Sequence, residues 1–136
     1  MIQRIYLAGP IFSQAEIDWA GKVKARVQEA LGQRIEVIWP HEIASGTPEE
    51  IFLTNTSALK RCELLVAILD GPQVDDGTAW EVGYHFSQGK KVLGIRTDFR
   101  NAGETSLSRA NAMVEQSCIA IASDLDELII EIEKLI

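Results

Sequence analysis

The sequence predicts an α/β fold, a doubly wound five-stranded parallel sheet with helices on both faces. Three observations predict it. Short apolar, β-prone runs alternate from end to end with segments of helical periodicity, the order that parallel strands and crossover helices require. One run, "LLVAILDG" at 64–71, is apolar almost throughout, as a strand covered on both faces must be. The chain has 136 residues, 46% hydrophobic and 24% charged, which is enough for one core and predicts a single domain over 1–136.

Each element has its own warrant. "IQRIYLAG" (2–9) is apolar and β-prone and meets Gly9-Pro10, so it is the first strand. The segment 13–32 repeats Ile17, Ala20, Val23, Val27, Ala30 and Leu31 at helical spacing. Ser13 followed three residues later by Glu16 opens it as a capping box, and Gly32 stops it. "IEVIW" (35–39) is the second strand, ended by Pro40, and 41–48 reads as a loop. Thr47, Pro48, Glu49 and Glu50 open a helix that runs to about Cys62. After the third strand at 64–71, "GPQVDDG" is a loop and a helix covers about 78–88, stopped by Gly89. "KVLGIRT" (91–97) is the fourth strand, 98–109 a polar loop, 110–117 a short helix and "CIAIA" (118–122) the fifth strand. Ser123 or Asp124 caps a last amphipathic helix, 124–135, which turns Leu125, Leu128, Ile129, Ile132 and Leu135 inward.

The expected strand order is 2-1-3-4-5. In such sheets ligands bind outside the carboxyl ends of the strands, near the switch between strands 1 and 3. The chemistry is therefore expected in "YLAGP", "DGPQVDDG" and "RTDFR", which follow strands 1, 3 and 4.

Charge and composition narrow the partners. A net charge of -7 and no basic stripe argue against a nucleic-acid polymer. No apolar run approaches the roughly 20 residues of a membrane span, and the first residues lack the pattern of a signal peptide. Cys62 and Cys118 lack metal-ligand spacing and read as reduced, buried fillers in a cytoplasmic protein. His41 and His85 form no ligand cluster with them, so neither a metal nor another cofactor is expected.

The stretch "DDGTAWEVGY" (75–84) puts Glu81 among Ala79, Trp80, Val82 and Tyr84. One reading is structural: Thr78 and Glu81 have the spacing of a capping box. The other is chemical. A glutamate in the first turn of a helix, at the ligand end of the sheet, is held as an anion by the helix dipole and suits a nucleophile. Asp75 and Asp76 lie just upstream, and either caps the helix; a second carboxyl in a different environment can keep a proton and act as an acid. Asp70-Gly71-Pro72 is turn chemistry, and Asp70 is read as structural. Tyr6 fills the sheet face or holds the Glu81 carboxylate. Gly9, before Pro10, lets the backbone turn and approach a ligand closely. Asn111 is a helix cap by type, and Trp19, Trp39 and Trp80 are core or pocket wall.

Taken together, "IYLAGPIFS" (5–13), "DGPQVDDGTAWEVGY" (70–84), "GKKVLGIRTDFR" (89–100) and "NAMVEQS" (111–117) resemble the nucleoside 2-deoxyribosyltransferase family. The resemblance implies a flavodoxin-like fold, nucleoside and nucleobase substrates, and no cofactor. It implies Glu81 as nucleophile, Asp75 as proton donor to the base, and Tyr6 as the residue that orients the nucleophile. It implies substrate contacts from Gly9, Pro10, Gly77, Asn111 and Met113, with Asn111 reaching a neighbouring subunit's site in a homo-oligomer. Where many members have an aspartate on the second helix, this chain has Asn55, an uncharged amide. Two alternatives use the same pocket. One is an N-glycosidase of nucleosides or deoxynucleoside 5′-monophosphates, for which Ser13, Ser117, Arg96 and Arg100 are candidate phosphate ligands. The other is a non-catalytic nucleotide-binding module.

Overall fold

A computed structural model describes residues 1–136. Five parallel strands form one sheet: β1 (Arg4–Ala8), β2 (Glu36–Ile38), β3 (Leu64–Ile68), β4 (Lys91–Ile95) and β5 (Ala120–Ala122), in the order β2-β1-β3-β4-β5. This is the expected doubly wound α/β topology. In register, Tyr6 of β1 stands between Ile38 of β2 and Leu65 of β3. All five residues of β3 are buried, in keeping with its apolar run and its place at the middle of the sheet.

Five α-helices lie between the strands, α1 (Gln14–Leu31), α2 (Pro40–Ile43), α3 (Pro48–Arg61), α4 (Asp76–Ser87) and α5 (Ala112–Glu115), and α6 (Leu125–Glu133) follows the last strand. Ser13 and Glu16 form the capping box of α1, and Thr47 and Glu50 form that of α3 with Pro48 in its first turn. Asp124, not Ser123, caps α6. No helix is long and apolar enough to cross a membrane.

The alternation of side chains along β1 divides the core. Ile5 and Leu7 join the larger cluster under α1 and α6; Tyr6 and Ala8 join the smaller one under α3 and α4. The smaller layer carries the site described below. Cys62 is buried in it, Cys118 is partly buried beside it, and both are free thiols.

The structure departs from the sequence reading at two elements. Residues 40–43, expected in a loop after Pro40, form the single turn α2. The fixed φ of proline, which ends a strand, equally opens a helix. The cap of α4 is Asp75: its Oδ2 accepts from the Thr78 amide at 2.9 Å and from the Thr78 hydroxyl at 2.9 Å. Thr78 and Glu81 therefore do not form a capping box. The helix begins at Asp76, three residues earlier than a cap at Thr78 would start it.

Candidate active site

Glu81 is the sixth residue of α4, one turn deeper than the sequence reading placed it. At that depth the pull of the helix dipole has faded, and burial dominates instead. Burial pushes the Glu81 carboxyl up to about 7. The Tyr6 hydroxyl bonded to it pulls the other way, and the neighbouring Asp75 charge adds to the rise. The carboxyl expected to stay ionised is thus the one whose surroundings favour a proton. The bond itself links β1 to α4: fully buried Tyr6 donates its hydroxyl to Glu81 Oε2. Burial first, and then the charge and acceptor of Glu81, hold the Tyr6 phenol well above its ordinary value, so it remains a donor.

Asp75 is half-buried at the start of the same helix, and the cap occupies only one of its oxygens, Oδ2. Asp76 is exposed and its Oδ1 accepts from the amide of Gly77. The pair that sequence reasoning could not separate is separated by which way the chain enters α4.

Asp75, Gly77 and Glu81 line a cavity of about 590 Å³ together with Gly9 of the β1 loop and Asn55 of α3. Most of the remaining wall is apolar, from Phe12, Trp39, Ile51, Phe52, Leu59 and Trp80. Phe52 meets Trp80 edge to face at 5.8 Å, and Trp80 stacks on Tyr84 at 5.4 Å. The lining includes two carboxyls and no Lys, Arg or His. Close approach favours Gly9: a Cβ there would lie 3.0 Å from Cβ of Ile68, a tight contact. Buried Oδ1 of Asn55 has no donor within the chain.

Other nominated residues lie elsewhere. Pro10 lines a separate cavity of about 660 Å³, beside Trp19, Asp70 and Arg100. Asn111 caps α5, accepting from the amide of Met113 at 2.9 Å, while Met113 is largely exposed; neither lines the Glu81 cavity of its own chain. Asp70 ties the ends of two strands, accepting from the amides of Thr97 at 2.6 Å and Asp98 at 2.8 Å. The "RTDFR" loop, expected at the ligand site, also lies outside this cavity. Arg96 in it is fully buried and donates to the carbonyls of Leu69, Gly71 and Arg100. Arg100 pairs with Asp98, whose carboxyl this holds well below its ordinary value. Neither arginine reaches the cavity: Arg96 joins the loops after β3 and β4, and Arg100 is paired with Asp98 within the loop after β4.

Sequence reasoning named Asn55 but missed the apolar residues beside it on the α3 wall. Its signal was present: Ile51, Phe52, Asn55 and Leu59 recur at helical spacing, and Ile51 and Phe52 remain partly exposed. An apolar stripe that stays open to solvent lines a groove rather than a core.

Comparison with known proteins adds three findings. A family model described as nucleoside 2-deoxyribosyltransferase matches residues 5–122. No curated protein matches the chain. Among solved structures, a conserved protein from Enterococcus faecalis is 25% identical over the full length of both chains with a TM-score of 0.83. A 2-desoxiribosyltransferase from Leishmania mexicana is 22% identical with a TM-score of 0.80, covering 98% of this chain and 99% of that one. A 2-deoxyribosyltransferase from Bacillus psychrosaccharolyticus is 24% identical with a TM-score of 0.74, covering 93% of this chain and 90% of its own.

Proposed function

The chain belongs to the nucleoside 2-deoxyribosyltransferase family, and from that premise we propose that it exchanges the nucleobase of 2′-deoxynucleosides through a glycosyl ester on Glu81. The observation that carries this is the bond from Tyr6 to Glu81 at the floor of an apolar cavity that also holds Asp75. Ionised Glu81 attacks C1′ as the C1′–N bond breaks. The bond's electron pair leaves with the base, and Asp75 supplies the proton that the base takes up. In the second half a new base gives its N–H proton to Asp75 and attacks C1′, and the Glu81–C1′ bond breaks. Two inversions return the original anomer. Tyr6 holds Oε2, which leaves Oε1 to face the sugar, and its hydrogen bond favours the carboxylate that must attack.

The charge of the cavity supports nucleosides over 5′-monophosphates. A phosphate dianion in this cavity would meet the Glu81 carboxylate and no cation. Four candidate phosphate ligands, Arg96, Arg100, Ser13 and Ser117, lie outside the lining. We also propose a homo-oligomer in which a second copy brings Asn111 and Met113 to the mouth of the cavity. Light scattering tests it, and a strictly monomeric, fully active chain would count against it.

The test of function is incubation with deoxyinosine and adenine, following both bases by chromatography. Deoxyadenosine should form as hypoxanthine is released, and Glu81→Ala should remove the exchange while leaving the far-ultraviolet circular dichroism unchanged. Release of base without exchange would make the protein a hydrolase instead. Retained binding without either would make it a binding module.

A further inference from the structure

Thr78 is the third residue of α4 and is buried, with 1% of its surface exposed. It does not itself line the cavity. Two threonines are buried on the helices that flank the cavity, and they use their hydroxyls differently. Thr56 of α3 donates to the carbonyl of Phe52 at 2.7 Å, a bond within its own helix. Thr78 donates to Oδ2 of Asp75 at 2.9 Å, and its amide donates to the same oxygen at 2.9 Å. The amide bond alone makes the cap, so the hydroxyl is surplus to it. A carboxylate oxygen offers two lone pairs, and Oδ2 has both taken by one residue. The other oxygen of Asp75, Oδ1, accepts no bond from Thr78, and Asp75 stands in the cavity wall.

We propose that Thr78 is a positioning residue for the acid: by filling Oδ2 it places the proton of Asp75 on Oδ1, the oxygen left to face the departing base. The inference rests on the transferase reading above and adds a residue to that same site. A proton on Oδ2 would displace one of the two donors, whereas a proton on Oδ1 displaces neither. As Glu81 bonds to C1′, the electron pair of the C1′–N bond stays with the base. The Oδ1 proton passes to a ring nitrogen, and its bonding pair stays on Asp75 as a carboxylate. Oδ2 accepts the same two hydrogen bonds before and after, so nothing beside the acid has to turn during the transfer. In the second half the incoming base returns its N–H proton to Oδ1. Valine at 78 keeps the branched shape and the capping amide but lacks the hydroxyl. It opens one lone pair of Oδ2, where the proton rests out of reach of the base.

The test compares two donors in single turnovers, followed by release of the base. Guanine must gain a proton to leave deoxyguanosine as the neutral base. 7-Methylguanine leaves 7-methyl-2′-deoxyguanosine without gaining one, because that base is already a cation. Thr78→Val should slow the release of guanine by about tenfold or more and that of 7-methylguanine by less than about twofold. The loss should lie in the maximal rate and not in the concentration of deoxyguanosine that half-saturates it. Release of 7-methylguanine also shows that the variant folds. Thr78→Ser, which restores the hydroxyl, should bring guanine release back to within about threefold of the wild type. Equal slowing with both donors in Thr78→Val, no slowing with either, or a Thr78→Ser chain no faster than Thr78→Val overturns the role of Thr78 and leaves the transferase reading standing. A wild-type chain that releases base from neither donor overturns both.

Discussion

At the scale of single residues, Glu81 opposes stability to activity. Its folded pKa, about 7, lies above its ordinary value of 4.5, chiefly through burial. The fold therefore favours the protonated form. Its contribution to stability is fully present below pH 4.5 and is lost as pH rises through 7. Glu81→Gln, which cannot ionise, should match the wild type near pH 4 and exceed it at pH 8, by at most about 3 kcal/mol and less where solvent reaches the site. Urea unfolding at the two pH values measures this; equal stability at both would contradict the buried carboxyl. Turnover should run the other way, falling as pH drops below 7, because the proposed attacking group is the carboxylate. Tyr6→Phe removes a bond that lowers the Glu81 pKa. The acid limb of its kcat profile should move to higher pH, with the largest loss of rate below neutrality.

At the scale of elements, Asp75 joins two roles that substitution can separate. As the cap of α4 it accepts from Thr78, and asparagine caps about as well as aspartate. As the proposed acid it must carry a proton, which asparagine cannot. Asp75→Asn should keep the melting temperature and lose exchange, whereas Asp75→Ala should lose exchange and about 1 kcal/mol of stability as well. A fully active Asp75→Asn chain would leave Asp75 with its structural role alone. Thermal melts beside exchange rates distinguish the outcomes. The capping boxes of α1 and α3 were legible because they are local, needing only a hydroxyl and a glutamate three residues apart. The same rule failed at Thr78 and Glu81. An aspartate three residues earlier took the Thr78 amide first, and nothing in the local spacing told which acceptor would win.

At the scale of the whole molecule, the sheet keeps its two faces distinct. The larger apolar cluster lies under α1 and α6, and the cavity opens on the α3 and α4 side. Leu128 is fully buried in the larger cluster, away from the cavity. Leu128→Ala should cost about 2–5 kcal/mol of stability and leave kcat/KM unchanged well below the melting temperature. A comparable fall in both would mean that the two layers are coupled through β1 and β3. The ends of β3 and β4 are joined by buried Arg96 and by Asp70, which explains why two groups of catalytic type take no part in the cavity.

The sequence by itself pointed to the main elements, to parallel strands and to two of the three segments expected to carry the site that line the candidate cavity, because hydrophobic period, caps and glycine turns act over a few residues. Tyr6, Asp75, Glu81 and Asn55 could be named from it. What the tertiary structure alone decided was their company. Tyr6 and Glu81 are 75 positions apart and meet through the packing of β1 on α4. Pro10, one residue beyond Gly9, falls into a different cavity. The protonation of Glu81 belongs to this second class. It depends on how much water the surrounding side chains exclude, and burial is a property of the assembled layers rather than of any neighbour in the chain.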